Sequence, residues 1–106
     1  MKKLFLLVAF LITVVAFAQD KQKRTLKHNE KTNLIDVVYY HDNGEVSETG
    51  SYTLDGKLQG KWLSYDKEGN MIVSANYDNG KKVGKWIHWV NGEKKVVHYD
   101  NNVASL

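Results

Sequence analysis

The chain repeats itself every 24 residues, and a repeat of that length admits few architectures. Gly60-Lys61-Trp62-Leu63-Ser64-Tyr65 returns as Gly84-Lys85-Trp86-Ile87-His88-Trp89. Each copy holds two runs rich in Val, Ile, Tyr and Trp, split by a short segment containing Gly. That is the pattern of a β-hairpin. A less complete copy comes first, as Val38-Tyr39-Tyr40, the turn Asp42-Asn43-Gly44 and a strand ending at Tyr52. The matching turns are Asp66-Lys67-Glu68-Gly69-Asn70 and Asn91-Gly92. Tyr40, Tyr65 and Trp89 occupy equivalent places, and so do Tyr52, Tyr77 and Tyr99. Gly44, Gly69 and Gly92 are turn glycines, while Gly56, Gly60, Gly80 and Gly84 lie in the connections between hairpins. No segment beyond the N-terminal run keeps the 3.6-residue apolar period of a helix. The expected fold is all-β: an elongated antiparallel sheet of three consecutive hairpins, spanning about 35–59, 60–83 and 84–106.

Turn length sets the register. A three-residue loop with Gly last, a type I turn closed by a bulge, pairs Tyr65 with Met71 and Tyr40 with Val46. Simple alternation from there puts Leu63, Tyr65, Met71, Val73, Ala75 and Tyr77 on one face. Trp62, Ser64, Ile72, Ser74 and Asn76 fall on the other. The third hairpin is one residue shorter on each side of its glycine. With the same loop, Ile87, Trp89, Val97 and Tyr99 share a face, whereas a two-residue Asn91-Gly92 turn would break that grouping. The expected core side carries Tyr40, Tyr65, Trp89, Tyr52, Tyr77 and Tyr99.

The N-terminus reads as an address. Lys2 and Lys3 precede an apolar run from Leu4 to Phe17, and Ala16-Phe17-Ala18 fits a small-residue cleavage site. The helical run covers only about 21 Å, short of a hydrocarbon core of about 30 Å. Residues 1–18 are therefore expected to be a signal peptide and the mature chain to begin at Gln19, exported to a bacterial periplasm or beyond. Removing Lys2 and Lys3 leaves 13 basic against 12 acidic residues, and the formal charge falls from +3 to +1. A balance that close to neutral argues against a nucleic-acid partner. Residues 19–33 are polar, with Leu26 as their one apolar side chain, and read as a flexible basic linker. The cations among residues 21–31 make membrane contact a further expectation.

No catalytic constellation is present, so no enzyme and no cofactor are expected. With no Cys there is no thiol nucleophile and no thiolate metal site. His28, His41, His88 and His98 lack the spacing of a metal site. Ser47, Ser51, Ser64 and Ser74 lie outside any Gly-x-Ser-x-Gly, and no Gly-rich loop opens a helix.

The repeats resemble MORN repeats in their bacterial variant form. The resemblance is carried by Gly60-Lys61-Trp62 with Tyr65 and Gly69, and by Gly84-Lys85-Trp86 with Trp89 and Gly92. The connections Asp55-Gly56-Lys57-Leu58-Gln59-Gly60 and Asn79-Gly80-Lys81-Lys82-Val83-Gly84 also fit it. It covers about residues 38–102; the first unit departs from it, with Ile35-Asp36-Val37-Val38 in place of Gly-Lys-Trp. The resemblance implies an elongated sheet of hairpins that contacts proteins or membranes and has no catalytic residues to transfer. Some bacterial relatives carry an antitoxin label, which implies neutralising a toxin protein, a role at odds with an export signal.

Trp62 and Trp86 stand out, with Lys61 and Lys85 before them and His88 near the second. Two readings apply. The rings pack against the connections between hairpins, or they form an aromatic row that holds a partner. The functional expectation is an exported module for protein interaction or scaffolding, with self-association through open sheet edges as one form of it. The alternatives are a cell-wall glycan binder, since aromatics stack on sugars, and a membrane-surface binder through the basic linker. Intact-mass measurement of the exported protein is expected to show a chain starting at Gln19; a chain still starting at Met1 would refute cleavage.

Overall fold

The computed structural model describes residues 22–105, which form one antiparallel sheet of nine strands without a helix. The expected signal peptide, 1–18, lies outside the described residues. The strands are β1 Arg24–Asn29, β2 Leu34–Tyr40, β3 Val46–Tyr52, β4 Leu58–Tyr65, β5 Met71–Asp78, β6 Lys81–Lys82, β7 Gly84–Val90, β8 Glu93–Asp100 and β9 Val103–Ser105. Their spatial order follows the sequence, except that the short β6 pairs with one end of β5 and β7 with the rest. Sequential antiparallel pairing is what short turns between neighbouring strands permit.

The three expected hairpins are β2–β3, β4–β5 and β7–β8. The first two turn through three-residue loops closed by Gly. His41 N donates to Glu45 O at 2.7 Å and Gly44 N to His41 O at 3.0 Å. Asp66 and Gly69 repeat this, at 2.8 and 3.1 Å. Tyr40 pairs with Val46 and Tyr65 with Met71.

The face assignment needs correction. One residue beyond each turn the register slips, so Tyr39 pairs with Glu48 and Ser64 with Val73. Ser47 and Ile72 are the extra residues of two β-bulges, and a bulge reverses the parity of everything beyond it. Trp62 therefore sits opposite Ala75 and shares its face with Tyr77, while Leu63 and Tyr65 project to the other side. The third hairpin reaches the same arrangement differently. Val90 pairs with Glu93 across a two-residue turn with φ of 51° at Asn91 and 79° at Gly92, the type I′ form. It has no bulge. Losing one loop residue and one bulge residue together preserves parity. Trp86 and Tyr99 thus share a face as Trp62 and Tyr77 do, and Ile87 and Trp89 join Leu63 and Tyr65.

The second correction concerns residues 19–33, expected as a linker. Arg24–Asn29 pair residue for residue with Tyr39–Leu34 as the edge strand β1. Tyr40 N extends this ladder to Lys23 O at 2.9 Å, and the Gln22 amide bonds Tyr40 O and the Ser47 hydroxyl. An edge strand is held by backbone bonds to its neighbour, so it forms with its side chains left in water. Leu26 stays 51% exposed.

A single sheet has no second layer to bury its side chains. Its core is therefore built on one face from large rings lying flat. Val37, Trp62, Ala75 and Trp86 are buried, with Tyr39, Tyr52, Leu58, Val73, Tyr77 and Tyr99 packed around them. Trp62 lies over Gly50, where a Cβ would fall inside its indole ring. Gly50→Ala is expected to lower stability by about 1–3 kcal/mol, the range for overpacking. Urea denaturation of the mature protein measures this, and an unchanged midpoint would show that Trp62 does not rest on that backbone.

Candidate interaction surface

The connections between hairpins place the tryptophans. After β3 the chain turns through Leu54-Asp55-Gly56, with Thr53 N donating to Lys57 O at 2.7 Å. After β5 it turns through Asn79-Gly80. Each connection then reaches a glycine with positive φ, 75° at Gly60 and 69° at Gly84. There the incoming strand gains two residues on its partner. Thr49 pairs with Leu63 but Ser51 with Gln59, and Ser74 pairs with Ile87 but Tyr77 with Lys82. The kink tips the next-but-one residue, Trp62 or Trp86, back across the preceding strand. Trp62 Nε1 donates to Ser51 O and Trp86 Nε1 to Asn76 O, both at 3.1 Å.

The rings then form an edge-to-face ladder. Tyr52 and Trp62 centroids lie 5.1 Å apart at 73°, Trp62 and Tyr77 6.4 Å at 82°, and Tyr77 and Trp86 5.2 Å at 69°. Trp86 and Tyr99 follow at 5.0 Å and 58°. Each such pair adds about 0.5–1.5 kcal/mol beyond the area it buries. Lys82 Nζ closes the last rung, 4.9 Å above Trp86 and 5.2 Å from Tyr99.

The candidate binding row therefore does not present itself to a ligand. Trp62 is 3% and Trp86 6% exposed, so the rings do the packing that was one of their two expected roles. His88 shares their face, 6.2 Å from the Trp86 ring. Lys61 and Lys85 alternate to the opposite face and are exposed. Ser74 and Asn76, expected beside the tryptophans, also lie on that opposite face. Of the six repeat aromatics, Tyr52, Tyr77 and Tyr99 belong to the ladder. Tyr40, Tyr65 and Trp89 are on the other side.

That other side carries a feature the sequence reading missed. Thr25, Val38, Thr49, Leu63, Ser74, Ile87 and Val96 are matched across seven strands in one unbroken row. Paired residues share a face, so the row is a strip running across the sheet. Tyr40, Tyr65 and Trp89 form a second strip two residues further along their strands. The described residues form a single layer, with Leu63, Ile87, Tyr40, Tyr65 and Trp89 half-buried and Ser74 buried among them. The signal for the strip was a bulge after each of the first two turns. Without the bulges, Leu63 reads as core.

The ladder face ends in a polar margin. Glu48 accepts a 3.3 Å bond from the Ser64 hydroxyl, and the Tyr39 and Tyr52 hydroxyls meet at 2.8 Å. Burial raises the Glu48 carboxyl above its ordinary range against the opposing effect of the Ser64 bond. Tyr52 is pushed up to about 12, first by burial and then by its bond with Tyr39. Among the described residues no group of His, Asp and Glu is placed to hold a metal ion. A scan against protein-family models, a search of curated proteins and a search of solved structures each return no match to the chain.

Glu48 favours its neutral form in the fold. Its contribution is full at acid pH and is lost as pH rises from the ordinary carboxyl value through the raised one. Glu48→Gln is therefore expected to raise the melting temperature at neutral pH and leave it unchanged in acid. A lower melting temperature for the variant at neutral pH would show that the ionised carboxylate is needed.

Proposed function

We propose that the chain is an exported, non-catalytic repeat module that binds another protein of the cell envelope. It does so through the face bearing Val38, Leu63, Ile87 and Val96 with Tyr40, Tyr65 and Trp89. One observation carries this reading: Val38, Leu63, Ile87 and Val96, spaced by Thr49 and Ser74, align across six strands of a sheet that has no second layer among the described residues. Sheets reach stability by covering an apolar face, and a partner supplies the cover here. Tyr40, Tyr65 and Trp89 beside the strip are of the aromatic types in which interface centres are enriched. The likeness to MORN repeats fits a non-catalytic scaffold, and the signal-type N-terminus fits one working outside the cytoplasm.

The glycan reading loses Trp62 and Trp86 as open stacking surfaces, since both are buried. Sheet-edge association is weakly supported too. The outer edge of β8 presents Lys94 and Lys95, and β1 presents Arg24 and Lys27, all exposed. Charges of this kind blunt an edge against strand addition.

In cells that export the protein, a photo-cross-linker at Val38 or Val96 is expected to trap a discrete protein adduct. Leu63→Lys should abolish it while the tryptophan fluorescence of the folded sheet is unchanged. Adducts indifferent to Leu63→Lys, or arising only from a probe at Lys95 on the ladder face, would overturn the proposal.

A further inference from the structure

Three Asn-Gly pairs occur, at 43–44, 79–80 and 91–92, and the fold treats the third differently. In an Asn-Gly pair the glycine amide nitrogen can attack the asparagine side-chain carbonyl carbon. A C–N bond forms and ammonia leaves, giving a cyclic imide. Water then opens the ring to aspartate or isoaspartate, so a side-chain NH group is exchanged for oxygen. The attack needs a glycine amide free of other bonds and an asparagine able to leave its turn conformation.

Two of the three turns are stitched to their neighbours. Gly44 N donates to His41 O at 3.0 Å, and the Asn43 side chain bonds Glu45 N at 3.0 Å and Lys67 O at 3.1 Å. The same turn is joined to the next by His41 Nε2 with Tyr65 O at 2.8 Å and by the Lys67–Asp42 ion pair at 3.2 Å. At the opposite end of the hairpins, Gly80 N donates to Leu58 O at 2.9 Å and Asn79 N to the Gln59 side chain at 2.7 Å. The Asn91-Gly92 turn has none of this. Gly92 N and the Asn91 amide make no hydrogen bond to described residues, both residues are exposed, and the shorter turn forms no bond to the one before it.

We propose that Asn91 is the protein's site of spontaneous deamidation. The product matters because this hairpin has no bulge to absorb a change. Isoaspartate adds a methylene to the main chain inside a turn whose two residues both need positive φ. The lengthened turn works against the β7–β8 register that seats Trp86 against Val97 and Tyr99. Modification therefore loosens the last hairpin and leaves the first two intact.

The test incubates the folded mature protein at mildly alkaline pH, followed by peptide mapping and isoaspartyl methyltransferase labelling. Conversion at Asn91 is expected to outpace that at Asn43 and Asn79 by up to about tenfold, the rate equivalent of the 0.5–1.5 kcal/mol hydrogen bond each of those glycines must first break. Asn91→Gly keeps a turn-compatible residue and should abolish labelling in the 91–92 peptide and slow the loss of β7–β8 amide protection on ageing. Equal or faster conversion at Asn43 or Asn79 would overturn the proposal, as would an Asn91 that stays intact.

Discussion

The whole sheet depends on an indole ring lying across the strand before it. A single layer of hairpins leaves each face open, and small side chains standing upright would bury little. Trp62 and Trp86 solve this by lying down, with their ring nitrogens bonded to Ser51 O and Asn76 O. That bond satisfies the one polar atom a buried indole brings. It also fixes the ring over the joint between two hairpins, where backbone pairing is disturbed by the extra residues at Gly60 and Gly84. Side-chain packing is thus strongest where the ladder of backbone bonds is weakest. The tyrosines between the indoles then link one joint to the next, so three hairpins behave as one sheet.

The seat for that ring changes from one hairpin to the next. The residue beneath the first indole is Gly50, two before Tyr52; the matching residues before Tyr77 and Tyr99 are Ala75 and Val97. The seat for a ring grows from no side chain, to a methyl, to a branched group. The chain still makes the next connection, since Asp100 pairs with Val103 across Asn101-Asn102, and Asn102 N donates to Lys82 O at 2.9 Å as Gly80 N does to Leu58 O. The short β9 covers only that end of β8, and Lys82 shields the last two rings. Lys94 and Lys95 line the part of the β8 edge that β9 leaves uncovered.

How far the sequence could be read follows from what each device leaves in it. The hairpins, their turn glycines and the pairings Tyr40–Val46 and Tyr65–Met71 were legible, because turn chemistry is local and Asx-Gly marks it. The faces were not. Ser47 and Ile72 are ordinary strand residues, and nothing in their identity announces that the ladder skips them. The clue was one of length: Trp62 to Tyr77 is two residues longer than Trp86 to Tyr99. If both pairs must share a face, the longer unit has to hide two residues, one in the loop and one in a bulge. Strand β1 was illegible for another reason. Composition reports what side chains can bury, whereas Arg24–Asn29 are held by backbone bonds to β2 and bury almost nothing.

Laying Trp62 and Trp86 down on one side decides what the other side carries. The ladder face is closed by its own aromatics, with Glu48, Ser64 and His88 at its margin. The strip face received Val38, Leu63 and Ile87, separated by Thr49 and Ser74, with Tyr40, Tyr65 and Trp89 beside them. The aliphatic ones touch across strands but are too short to lie over one another as the indoles do. They stand as a flat, regularly spaced apolar surface whose repeat is that of the hairpins themselves. The parity that two bulges and one short turn enforce thus sorts the side chains: the rings that cover one another lie on one face, and the residues left partly exposed lie on the other.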